Sequence, residues 1–105
     1  MIKCEINKRR STVKVTFILE DNGFGIDGQA VAVVGDFNDW DPTAVPMARK
    51  GDKQVATVAL VPGRRYGFRY LTEAGQWLND EAADAYEPNE FGVENSILDL
   101  TDIAL

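Results

Sequence analysis

Residues Thr12 to Glu20 read Thr-Val-Lys-Val-Thr-Phe-Ile-Leu-Glu, placing Val13, Val15, Phe17 and Leu19 at every second position against Lys14 and Thr16. A period of two sets those four apolar side chains on one side of an extended strand, so a second layer must cover them. Further β-branched or aromatic runs follow at Ala30–Val34, Gln54–Val61, Arg65–Thr72 and Ser96–Leu100, with a shorter candidate at Pro46–Arg49. Turn residues separate the runs at Asn22-Gly23, Asn38–Pro42, Gly51-Asp52, Pro62-Gly63 and Ala74-Gly75. Of these, Gly51-Asp52 and Ala74-Gly75 have the composition of hairpin turns. No window holds a 3.6-residue period for the ten or so positions a helix requires, although Asp80–Tyr86 has room for about one turn. Many short strands at this spacing predict an all-β sandwich.

The length of 105 residues suits one sandwich domain over 1–105, and 45% hydrophobic with 27% charged residues is ordinary for a folded globular chain. A formal net charge of −6 is the wrong sign for holding phosphates, and the eleven basic residues form no block longer than Lys8-Arg9-Arg10. Nucleic acid and anionic membrane are therefore not expected partners, whereas a neutral ligand is indifferent to that charge. The longest apolar run, Ala30 to Val34, is far below the roughly 20 residues of a membrane-crossing helix. The single cysteine, Cys4, has no internal disulfide partner, and Met1-Ile2-Lys3-Cys4-Glu5-Ile6 lacks the apolar segment of a secretory signal. A cytoplasmic location is expected.

The chain contains no histidine, which removes Ser-His-Asp and Cys-His catalysis and the commonest zinc sites. Gly23-Phe24-Gly25-Ile26-Asp27-Gly28 matches a dinucleotide-binding pattern in letters only, because the strand-like Gln29–Val34 follows where a helix N-terminus would be needed. Asp21 and Asp27 fail the spacing of a calcium-binding loop. Seventeen carboxylates make a close pair inevitable, but glycosidic chemistry needs a cleft that raises one carboxyl pKa, and acids on the turns of a small sandwich have little burial. No enzyme activity and no cofactor are expected.

Two tryptophans stand beside turn residues rather than in apolar runs: Trp40 in Gly35-Asp36-Phe37-Asn38-Asp39-Trp40-Asp41-Pro42, and Trp77 after Gly75-Gln76. Each ring either folds down to cap the sandwich or stands open as a stacking platform. Alternation along Arg65–Thr72 turns Tyr66, Phe68 and Tyr70 to the core and Arg69 outward, a few residues before Trp77. Asn79 to Gly92 is a polar stretch of little periodicity and reads as a long loop. Asn95, at the entry to the last strand, has an amide that both donates and accepts. Flat rings, a cation and an amide together suit a sugar, which has apolar C–H faces fringed by hydroxyls.

The segments Val33-Val34-Gly35-Asp36-Phe37-Asn38-Asp39-Trp40, Pro62–Tyr70, Gly75-Gln76-Trp77 and Phe91-Gly92-Val93-Glu94-Asn95-Ser96-Ile97, in this order, resemble carbohydrate-binding module family 48. That family includes the glycogen-binding domain of the AMP-activated kinase β subunit and the N-terminal modules of isoamylases and glycogen branching enzymes. The resemblance covers about residues 30–100 and implies an early-set, immunoglobulin-like fold with a non-catalytic site for glycogen, starch or maltooligosaccharide. By the same resemblance Trp40 and Trp77 match the stacking tryptophans, and Arg69 and Asn95 the polar contacts. Phe91 stands where the kinase module inserts a leucine against the sugar, and Val93 where it has a threonine, so one hydroxyl contact is missing. A rival reading keeps the sandwich as a protein-interaction domain that docks onto an α-glucan-metabolising enzyme or kinase-like partner.

Overall fold

The computed structural model describes residues 1–20 and 29–103. Strand β1 (Ile2–Asn7) pairs antiparallel with β2 (Thr12–Glu20), and the chain continues through β3 (Val31–Gly35), β4 (Ala48–Lys50), β5 (Lys53–Leu60) and β6 (Arg65–Thr72) to β7 (Trp77–Leu78), β8 (Ala85–Pro88) and β9 (Glu94–Asp99). Two antiparallel sheets result, ordered β1-β2-β5-β4 and β3-β6-β9-β8, with β7 added to β6. This is the expected all-β, immunoglobulin-like sandwich.

The core lies where the alternation puts it. Val13, Val15 and Phe17 of β2 are fully buried against Val33 of β3 and against Tyr66, Phe68 and Tyr70 of β6. Phe17 meets Phe68 edge-on, with ring centroids 5.0 Å apart. Each aromatic here buries a large apolar area, and the tilted contacts suit ring quadrupoles.

Strand β6 organises the second sheet. One of its edges is paired by β3 from Phe68 to Thr72. Its other edge is shared: β9 covers Arg65–Phe68, and the two-residue β7 covers Tyr70 and Leu71. The junction between β9 and β7 falls at Arg69. The hairpin turns at Gly51-Asp52 and Ala74-Gly75 form as expected, Gly51 and Gly75 adopting φ of 66° and 88°.

One strand was not expected, and two expectations need correction. β1 was not among the expected strands, although Ile2, Cys4 and Ile6 alternate with Lys3, Glu5 and Asn7 as a strand does; five of its six residues are exposed and it is held as an edge through β2. The polar stretch Asn79–Gly92 contains strand β8, whose pairing to β9 runs through backbone groups while three of its four side chains are exposed. Asp80–Tyr86 forms no helical turn: the Ala82 N–H donates to Asp80 Oδ1 at 2.7 Å, and Ala85 and Tyr86 already belong to β8, while Asp80 itself is 1% exposed. Asp80 Oδ2 accepts the Tyr70 hydroxyl at 2.6 Å, and its backbone N–H donates to Ser96 Oγ at 2.9 Å, which ties the segment after β7 to the sheet. The Asn22-Gly23 turn, the Gly23–Gly28 pattern, and Asp21 and Asp27 lie outside the described residues. Among those described, no helix is long and apolar enough to cross a membrane.

Candidate functional site

After β3 the chain must reverse, and the sequence Gly-Asp-Phe-Asn-Asp-Trp does so through a short 3₁₀ turn at Asp36–Asn38. Asn38 staples the reversal from both ends of its amide: Oδ1 accepts the Gly35 N–H at 3.0 Å and Nδ2 donates to the Val33 carbonyl at 3.0 Å. Phe37 is half-buried and packs on Phe17, with centroids 5.8 Å apart, which anchors the turn in the core. Asp39 and Trp40 then take left-handed conformations, with φ of 55° and 57°. A bulky residue there stores strain of about 1–3 kcal/mol, a pattern that marks functional turns. The Trp40 indole lies back over Gly67 of β6, and its N–H donates to Asp36 Oδ1 at 2.9 Å.

Gly67 of β6 is the floor beneath that ring. A Cβ at this position would stand 3.3 Å from Asp36 Oδ2, 3.6 Å from Asn95 Nδ2 and 3.7 Å from Trp40 Cζ2. Residues from two separate segments, the Asp36–Trp40 turn and β9, therefore converge on the space that a side chain would fill. Asp36 Oδ2 also accepts the Gly67 N–H at 2.7 Å.

Arg69 stands two residues along the same outward face, half-buried. Its Nε donates to Asn79 Oδ1 at 3.2 Å and its Nη2 to the Trp77 carbonyl at 3.3 Å. Its Cζ lies 5.8 Å from the centre of the Trp77 ring, within range of a cation–π contact. Partial burial pulls the guanidinium pKa below its ordinary value, and the group stays charged at neutral pH. The expected proximity of a cation and an indole is thus present. Trp77 is 43% exposed and Phe91 80% exposed, so both rings stand in solvent, while Trp40 is half-buried.

Trp40, Arg69, Trp77, Phe91 and Asn95, the five residues singled out from sequence, line one open groove of about 990 Å³ together with Asp36, Asn89, Glu90 and Val93. That volume is at the upper end of ligand-sized sites, roughly 300–1,000 Å³. The rings are separate from the buried cluster of Phe17, Phe68 and Tyr70, which is structural. Asp36, Asn89 and Glu90 carried no sequence signal as site residues. The Asp in Gly35-Asp36-Phe37 and the Asn two residues before Phe91 were visible as turn formers, but their reach into the groove depends on strands distant in sequence.

Residues 24–87 match the family described as carbohydrate-binding module 48 (isoamylase N-terminal domain). The match spans well over half of the chain, contains Trp40, Arg69 and Trp77, and ends before Phe91 and Asn95. No curated protein matches the chain. Among solved structures, the crystal structure of ferric enterobactin esterase from Salmonella typhimurium is similar over 99% of this chain, with a TM-score of 0.72 at 15% identity. The chain spans 35% of that protein's length, and at this identity the likeness concerns the fold alone.

Proposed function

The chain belongs to carbohydrate-binding module family 48, and from that premise we propose that it binds α-glucan chains, without catalysing their cleavage, through the groove over β6. The observation that carries this reading is the convergence of three rings, Trp40, Trp77 and Phe91, with Arg69 and Asn95 on one groove. Trp40 and Trp77 stack on successive glucose faces of a curved α-1,4 chain, and Phe91 offers a third apolar surface at the rim. Arg69 and Asn95 bond the hydroxyl fringe. Burial of about 40 Å² of apolar surface per indole contributes about 1 kcal/mol each at 25 cal/mol/Å². Hydrogen bonds on an open surface add little net, because water is exchanged for them. Affinity for a short chain is therefore modest, about 10 μM to 1 mM, and a polysaccharide raises retention by offering many sites.

Titration with maltoheptaose, followed by tryptophan fluorescence, tests the reading. A saturable change that persists as salt rises is expected, since the ligand is neutral. No response at millimolar sugar would overturn it. Release of reducing sugar from glycogen by the purified protein would overturn the non-catalytic part. Docking to a protein through the exposed Phe91 and Val93 is the rival use of the surface, and a pull-down that finds a stable protein partner there, with no sugar response, would favour it.

A further inference from the structure

The loop between β8 and β9 is held by one side chain. Asn89 Oδ1 accepts the backbone N–H of Phe91 at 2.9 Å and that of Val93 at 3.4 Å. Its backbone N–H donates to the Val93 carbonyl at 2.8 Å, so the turn carrying the exposed Phe91 closes on Asn89. Backbone N–H groups donate only, so the oxygen of this amide must face them and its nitrogen must face away. That nitrogen donates to Asn95 Oδ1 at 2.9 Å. The Asn95 amide is oriented in turn. Its oxygen is claimed by Asn89, and its nitrogen lies over Gly67, 3.6 Å from where a Cβ would stand, with no protein partner among the described residues.

We propose that Asn89 is a positioning residue that fixes Asn95 as a donor toward the ligand, so that the groove floor selects a sugar through acceptor oxygens. The inference rests on the glucan-binding reading and adds a direction to its polar contacts. Arg69 contributes the same polarity, since its Nε and Nη2 are engaged and Nη1 has no protein partner among the described residues. Two donors, Asn95 Nδ2 and Arg69 Nη1, are thus offered to hydroxyl oxygens. A ligand with hydrogen in place of the hydroxyl above Asn95 leaves that donor desolvated without a partner.

Asn89→Asp separates orientation from loop structure. The carboxylate has the same shape and accepts the Phe91 and Val93 N–H groups, but it cannot donate to Asn95. Asn95 then turns its nitrogen toward Asp and its oxygen toward the groove. Maltoheptaose affinity is expected to fall about three- to tenfold, with unfolding unchanged, and the same substitution in an Asn95→Ala background is expected to cost nothing further. In NMR spectra the Asn95 side-chain NH₂ signals should shift on sugar addition in the parent and stay still in Asn89→Asp. A parent that binds while Asn89→Asp binds equally tightly, or weakens equally with Asn95 absent, overturns this inference alone. A parent silent to maltoheptaose removes the glucan reading and this inference together.

Discussion

The Asp36 carboxylate joins the Trp40 indole N–H, accepted by Oδ1 at 2.9 Å, to the backbone N–H of Gly67, accepted by Oδ2 at 2.7 Å. One side chain thus fixes the height and tilt of the ring above the strand that floors the groove, and it also satisfies a donor that β3 does not reach. Replacement of Asp36 by Ala frees the ring and leaves the buried Gly67 N–H unpaired, at a cost of about 1–2 kcal/mol in urea unfolding. Trp40 fluorescence anisotropy is expected to fall with it. Asp36→Asn keeps one acceptor oxygen and should lie between the two.

Phe91 separates binding from stability. With 80% of the residue exposed, Phe91→Ala should change unfolding free energy by less than about 0.5 kcal/mol. Maltoheptaose affinity should drop about three- to tenfold if the ring covers a glucose face. Unchanged affinity would place the ring outside the bound chain.

Gly35 is required by space rather than by backbone angle, its φ of −170° being extended. A Cβ there would meet the Gly67 carbonyl oxygen at 2.5 Å and Phe68 Cβ at 2.9 Å. Neither neighbour is the free end of a flexible chain, so Gly35→Ala must push β3 and β6 apart. A loss of about 2–3 kcal/mol in thermal or urea unfolding is expected, together with weaker sugar binding as Asp36 moves off Gly67.

Tyr70 gives the fold an alkaline limit. Burial first, then the charge of Asp80 and the hydrogen bond to it, raise the Tyr70 pKa above its ordinary value near 10. The folded state therefore holds this proton where the unfolded chain releases it. The stabilisation is complete below about pH 10 and declines by up to about 1.4 kcal/mol per pH unit above it. Urea midpoints measured across pH 8 to 11 should show that decline in the parent, and Tyr70→Phe should flatten it while costing stability at neutral pH.

The alternation that placed Val13, Val15, Phe17 and Leu19 inward, and the aromatic face of β6 that placed Arg69 outward, were both legible because strand geometry ties each residue to its neighbour two positions away. The turn residues at Gly51-Asp52 and Ala74-Gly75 were legible for a similar reason: the conformations they favour are local. β8 was not, because an edge strand with exposed side chains is held by N–H and C=O groups that nearly every residue possesses, whereas β1 carries a strand's alternation in Ile2, Cys4 and Ile6. Of the groove, Trp40, Arg69, Trp77, Phe91 and Asn95 were nameable from residue type, spacing and family resemblance. Their common location was implied by the resemblance alone, since no local period carries it.

By itself the amino-acid sequence determined a sandwich with one aromatic core and two tryptophans left beside turns. Tertiary structure decided what those tryptophans border. Asp36 meets Gly67 across 31 positions, and Arg69 is held by Asn79 and by the Trp77 carbonyl where β9 gives way to β7 along β6. Asn95 is turned by Asn89 only because the loop between β8 and β9 closes on that side chain. Such contacts depend on which strands lie side by side, a property of the assembled sheets that no local period encodes. The orientation of an amide depends further on every donor and acceptor that the assembled sheets bring to it.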